Sequence, residues 1–440
     1  MMKKSIRAFC SIAMSLPLMT SAALADGIVT ELVENAAFEL NATYSNFRYP
    51  LASSNTTLER NTNEIFSTLG LETEAVITDD DVYSWLNLEL VAMYGTLHQV
   101  GQGVFRKPNA SQSAAHFLDA KRVAYHAEIM DGDVELIMGK EFIEFGVAEN
   151  YSPTDRFAMS VAVDPTEADA HGVWQAGFKV YSGDDHFEYR FIPLHERGAS
   201  ANGKNRWQGL IAQNGAPQVE PFQWRNVGNL ISYNAVRQGY DWFVLAHHGQ
   251  AAYPIVTRDP GGAVTDTFSV TPNAWSFGGG ASAVKEEWKF VVETLVQITE
   301  HALDQDYLMY TIGFSYRETD WANEMGMEEL TYYLEYGGEV VLDEQKIRPY
   351  ISQNSYTYRQ NQDTFLPKLE IKVDDTWSGT LSAAINARDN DYTYGMGVEY
   401  KDSDNLRVRA SYTDFSGSTG TIYGNWERND VLKLNVEYKF

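Results

Sequence analysis

The chain lacks most of what a soluble enzyme or a disulfide-stapled secreted domain is built on. Its 440 residues hold one cysteine, Cys10, and that residue lies in an N-terminal stretch that reads as removable. No disulfide, zinc thiolate site or cysteine nucleophile is then possible, so stability must come from backbone pairing and burial. Beyond residue 25 there is no apolar run of about 18 residues, which excludes a membrane-spanning helix. Basic residues are scarce: 34 Lys and Arg face 60 Asp and Glu, a formal charge of −26. A surface of that sign excludes a nucleic-acid partner. No Gly-x-Ser-x-Gly element, phosphate loop or dinucleotide fingerprint occurs. No catalytic residue, cofactor or metal site is therefore expected. The pair His247-His248 does not alter this, because neighbours on a strand point to opposite faces and cannot share a metal.

What the chain does have begins with Lys3, Lys4 and Arg7, followed by a mostly apolar stretch from Ala8 to about Leu24. It closes with Ala23-Leu24-Ala25 before Asp26. Basic, apolar, then small-x-small is the order of a secretory signal peptide, expected over residues 1–25. Its removal leaves 31 basic residues against 60 acidic ones, a formal −29. Residues 26–35 are expected as a short periplasmic segment and 36–440 as one β-domain.

The period of that domain is two. Leu432, Leu434, Val436, Tyr438 and Phe440 alternate with Lys433, Asn435, Glu437 and Lys439. Leu308, Tyr310, Ile312, Phe314 and Tyr316 alternate with Thr311, Gly313, Ser315 and Arg317 in the same way. One face of each strand thus meets an apolar medium and the other meets water. Short Asp, Asn and Gly turns, such as Asp131-Gly132-Asp133 and Ser182-Gly183-Asp184-Asp185, take turns with long connectors. The latter lie near 46–62, 98–115, 146–170, 195–224, 250–272 and 338–364. Mean hydrophilicity with 13% aromatic residues fits strands of which only alternate residues face lipid. The expected fold is all-β: a transmembrane antiparallel up-and-down β-barrel of about 18 strands, with 16 as the alternative. The starts fall near 36, 65, 82, 117, 134, 172, 186, 226, 240, 274, 287, 307, 329, 365, 379, 392, 404 and 429. Those at 274 and 365 are weakest, since Gly278-Gly279-Gly280 and Pro367 interrupt the alternation.

The last strand, with Tyr438 and the terminal Phe440, resembles the targeting strand of Gram-negative outer-membrane barrels. The resemblance implies that the barrel assembly machinery reads these two residues. A second stretch runs from Gly139-Lys140-Glu141 to Phe145-Gly146 and on to Ser152-Pro153-Thr154-Asp155-Arg156. It resembles the Gly-Arg-Gln…Trp-Gly…Ser-Pro-x-Asp pattern of large porin-like families that include the alginate-export barrels, with Lys140, Glu141 and Phe145 departing from it. Together these imply an outer-membrane location, contact with lipid and lipopolysaccharide, and passage of a small polar solute.

Candidate pore-lining residues are the charged groups opposite the apolar positions: Arg122, Lys140, Arg190, Lys289, Glu293, Arg317, Glu335, Arg407 and Arg409. A ladder of such bases favours anionic or carboxylated solutes. The bland alternative is that they form cross-strand ion pairs, Arg407 and Arg409 with Glu399 and Glu437 for example. The 146–170 connector, with Asp155, Arg156 and Asp164, either folds inward as a constriction or is displayed outside. The functional rivals are an outer-membrane lipase or protease barrel and a plugged adhesion or scaffold barrel.

Overall fold

The computed structural model describes residues 22–49, 63–79, 82–100, 114–157, 159–161, 166, 169–194, 200–201, 207, 224–251, 255–258, 267–300, 304–343, 350–351, 363–402, 404–418, 421 and 423–440. Eighteen antiparallel strands follow one another around a closed barrel. The first half comprises β1 (Ala37–Phe47), β2 (Asn63–Asp79), β3 (Val82–Val100), β4 (Ala114–Ile129), β5 (Val134–Glu141), β6 (Val173–Ser182), β7 (Asp185–Leu194), β8 (Gly228–Arg237) and β9 (Tyr240–Gln250). The second comprises β10 (Asn273–Lys285), β11 (Trp288–Thr299), β12 (Asp306–Glu318), β13 (Glu329–Asp343), β14 (Thr364–Lys372), β15 (Trp377–Asn386), β16 (Asp391–Lys401), β17 (Leu406–Ser416) and β18 (Val431–Lys439). Strands β1 and β18 pair from Glu39↔Lys439 to Phe47↔Val431, which closes the sheet. Closure removes the free edges, and a bilayer demands this because it offers no water to unpaired amides.

Alternation sorts the faces. On β18, Leu432, Leu434, Tyr438 and Phe440 are exposed outward while Lys433 is buried inside. Aromatic side chains gather at both rims of the outer face, as in a membrane barrel. At the short-turn rim Trp288 packs on Tyr316, Trp377 on Tyr400, and Phe38 on Phe440. Trp275, Phe365 and Tyr392 stand near the long-loop rim. Among the described residues no helix is long and apolar enough to cross a membrane.

Both doubtful strands exist. Pro367 sits in β14, and the ladder to β15 skips Leu366 and Pro367 between Phe365↔Ile385 and Lys368↔Ser382 without losing register. A missing N–H is tolerated where one ladder is already open. The expected connector at 338–364 starts too early, because Gly338–Asp343 prolong β13. Two helices were not expected. α1 (Ala22–Glu34) covers the edge of β2 that outruns β1, where Glu31 accepts the Val76 amide at 2.7 Å. α2 (Asp320–Glu324) lies in the connector between β12 and β13.

Candidate functional site

The lumen is shaped by the segment after β5, residues 142–157. Gly139 has φ +133°, and a Cβ there would overlap the Val123 carbonyl oxygen. Only glycine permits this backbone angle and so close an approach of β5 to β4, three residues before the segment leaves the strand. The segment then runs to β11 and β13, six and eight strands further round the barrel. On those strands Val292 and Ile298, and Leu334 and Val340, are exposed outward, while Glu293 and Glu335 between them are buried inside.

These two carboxylates receive the segment. Glu293 Oε2 accepts the amides of Val147 and Ala148 at 3.0 and 3.4 Å. Its Oε1 accepts the Thr154 amide at 2.8 Å, the Thr154 hydroxyl at 2.6 Å and the Ser152 hydroxyl. Glu335 accepts the amides of Glu149, Asn150 and Tyr151 at 2.7, 2.9 and 3.2 Å. Consecutive amides converging on an anion form a strong, charge-assisted cradle. Further ties come from Thr311, whose hydroxyl donates to the Tyr151 carbonyl at 2.9 Å, and from Arg156, which donates to the Tyr307 hydroxyl at 3.2 Å. Lys368 of β14 pairs with Glu149 at 3.3 Å. The interrupted strand β10 is part of the same fit. A Cβ on Gly278 would stand 3.0 Å from Thr154 Cγ2, and one on Gly280 3.1 Å from Val147 Cγ2. The glycines let the segment lie against the wall.

Two charge networks hold the root of the segment. Asp119 sits between Lys140 Nζ at 3.3 Å and His171 Nδ1 at 2.7 Å, all three fully buried. His171 also faces Asp169 at 3.6 Å, which pairs with Lys121 at 3.1 Å. Burial opposes the charged imidazole of His171, but its hydrogen bonds to Asp119 and Asp169 outweigh that and raise its pKa. The second network links Arg122 to Glu141 at 2.8 Å, Glu141 to His126 at 2.9 Å, and His126 to Glu135 at 2.8 Å.

The remaining candidates divide by exposure. Arg190 is buried and paired with Glu188. Lys289 lies on the inward face of β11, and among the described residues it has no ion pair. Arg317 is at the short-turn rim, 3.3 Å from Glu329. Arg407 reaches Glu399 and Glu437 at 3.3 and 3.4 Å, and Arg409 reaches Glu399 at 2.6 Å. These are the cross-strand pairs that the order of the strands suggested. The side chain of Arg409 is nevertheless 56% exposed, against 3% for Arg190. The four bases Lys140, Arg190, Lys289 and Arg317 do not form one cluster; each described pairing is with its own carboxylate.

On the segment itself Asp155 is exposed, while Arg156 is buried. Its side chain keeps solvent contact, but the protein packed around it displaces part of its water, and this, with the charges of Glu144 and Glu293, pushes the Asp155 carboxyl up to about 6. Asp164 lies outside the described residues. Sequence reading missed Ser152, Thr154, Thr311, Asp119 and His171. The Ser-Pro-Thr-Asp run was the one available signal for the first two. The histidine pair does split: His247 is buried inward, and His248 binds Glu300 at 2.9 Å beside Trp275. Among the described residues no group of His, Cys, Asp and Glu could hold a metal ion.

Comparison with known proteins rests on this architecture alone. No family's sequence model and no curated protein matches the chain. Solved structures do. A BenF-like porin from Pseudomonas fluorescens Pf-5 superposes with TM-score 0.55 at 11% identity, covering 92% of this chain and 98% of that one. The fold is that of an outer-membrane porin. OccAB3 of Acinetobacter baumannii (TM-score 0.51, 11% identity) and OccK8 (OprE) of Pseudomonas aeruginosa (0.51, 9%) each cover the same 92% of this porin-like barrel and are themselves covered over 98%.

Proposed function

We propose that the chain is an outer-membrane channel, exported with a cleaved leader, that conducts small polar solutes and performs no catalysis. The observation that carries this reading is a closed 18-strand barrel that is apolar outside and lined with charge inside. Charge that stays open to solvent inside, as at Arg407 and Arg409, has no use in a purely structural interior, where apolar side chains of similar volume stabilise as well. Lipid and lipopolysaccharide would contact the outer band, and Tyr438 and Phe440 would serve the assembly machinery. The finer reading is passage of anionic or carboxylated solutes along β16–β18, where Arg407 and Arg409 reach open space.

Reconstitution in planar bilayers tests both levels. Stepwise conductance is expected, with a reversal potential in a salt gradient that favours anions. Preferential permeation of cations would remove the anionic reading, and absence of any conductance would leave a plugged scaffold barrel.

A further inference from the structure

We infer that Glu293 and Glu335 are positioning residues for the passage: by fixing residues 147–154 across the lumen they set its width. This deepens the channel reading and rests on it. Three features separate the pair from the other buried charges of the barrel. Lys140, Arg122 and Glu135 bond to side chains of neighbouring strands, and Arg190 to Glu188 on its own strand, so they knit the wall to itself. Glu293 and Glu335 instead spend both carboxylate oxygens on one stretch of chain that enters from strand β5, six and eight strands away. The hydrogen bonds go mainly to backbone amides, so they fix the path of the chain whatever side chains it displays. The wall is also hollowed to accept that path at Gly278 and Gly280.

An amide in place of a carboxylate changes this directly. Glutamine has one acceptor oxygen where glutamate has two, carries no charge, and turns an NH2 group toward peptide amides that are themselves donors. Part of the cradle is then repelled, and the segment is free to leave the wall.

The test is single-channel recording and liposome swelling on the full mature chain, comparing wild type with Glu293→Gln/Glu335→Gln. Migration on unheated gels shows that each barrel is folded. The double variant is expected to raise unit conductance roughly twofold and to admit larger neutral sugars, since pore radius governs both. Glu188→Gln also removes a buried wall carboxylate, but among the described residues it bonds only to Arg190 and Ser232, away from the segment. It is expected to leave conductance and sugar cut-off unchanged. Should the double variant not fold, each single Glu→Gln variant carries the same test with a smaller increase and a noisier open level. A conducting wild type whose folded variants keep its conductance and cut-off overturns this inference alone. A wild type that conducts nothing overturns the channel reading, and this inference falls with it.

Discussion

Two walls of one barrel have been given different jobs. The inner face of β9–β13 is core-like: Phe243, Leu245, Leu295, Tyr307 and Met309 are buried under the 142–157 segment, together with Glu293 and Glu335. Toward the short-turn end, the inner face of β15–β18 is polar and still open to solvent, with Ser378, Thr380, Ser382, Glu399, Arg407, Arg409 and Asn435. Both faces come from the same alternation, so period two tells which residues point inward and nothing about which will meet water. A charge on the covered wall acts as structure. A charge on the open wall is available to a solute.

The comparison can be broken at several points. The largest effect is expected from Gly139→Ala, which places a Cβ against the Val123 carbonyl oxygen. Loss of the folded, heat-modifiable form is the anticipated result, and normal assembly would show that the close approach of β5 to β4 is not needed. Next comes Arg190→Ala, which leaves Glu188 buried without its partner at a cost of about 3–5 kcal/mol. A urea midpoint equal to wild type in detergent would contradict a structural role for the buried charge pairs of the lumen. The matching change on the open wall, Arg407→Ala/Arg409→Ala, should cost little stability, roughly 0–1 kcal/mol per exposed pair. It should instead move the reversal potential toward cations, and an unmoved potential would place the solute path elsewhere.

Two smaller effects depend on pH. With its carboxyl near 6, Asp155 is neutral at pH 5 and charged at pH 7, so anion preference should fall as pH rises between those values. Asp155→Asn should abolish that change. His171 has a raised pKa, so its imidazolium contributes stability fully below its unfolded value of about 6.5, lost as pH rises through the folded value. The melting-temperature gap between wild type and His171→Asn should therefore narrow from pH 6 to pH 9. A gap that widens would reverse the proposed sign.

The strand starts were legible almost to the residue, because each strand repeats one local rule and every short turn but Glu286-Glu287 announces itself with Asp, Asn or Gly. Even the pairing of Arg407 and Arg409 with Glu399 and Glu437 was readable, since sequential strands are neighbours in an up-and-down barrel. Gly278-Gly279-Gly280 was legible as an interruption but not as a purpose: its missing side chains make room for Thr154 and Val147, which lie more than a hundred residues earlier. The cradle of Glu293 and Glu335 was hidden for the same reason, and those residues read as pore lining rather than as supports. His171 gave no signal, because nothing local marks Asp119 as its partner.

By itself the sequence determined the two-solvent barrel, its strand order and its closure at Phe440, since these follow from side-chain alternation and from the need to pair every backbone amide in lipid. Only the tertiary structure decided which inner wall is covered and which is open. That choice depends on a connector crossing the lumen to meet carboxylates brought near it by closing the sheet, and no local pattern encodes a contact between residues so far apart.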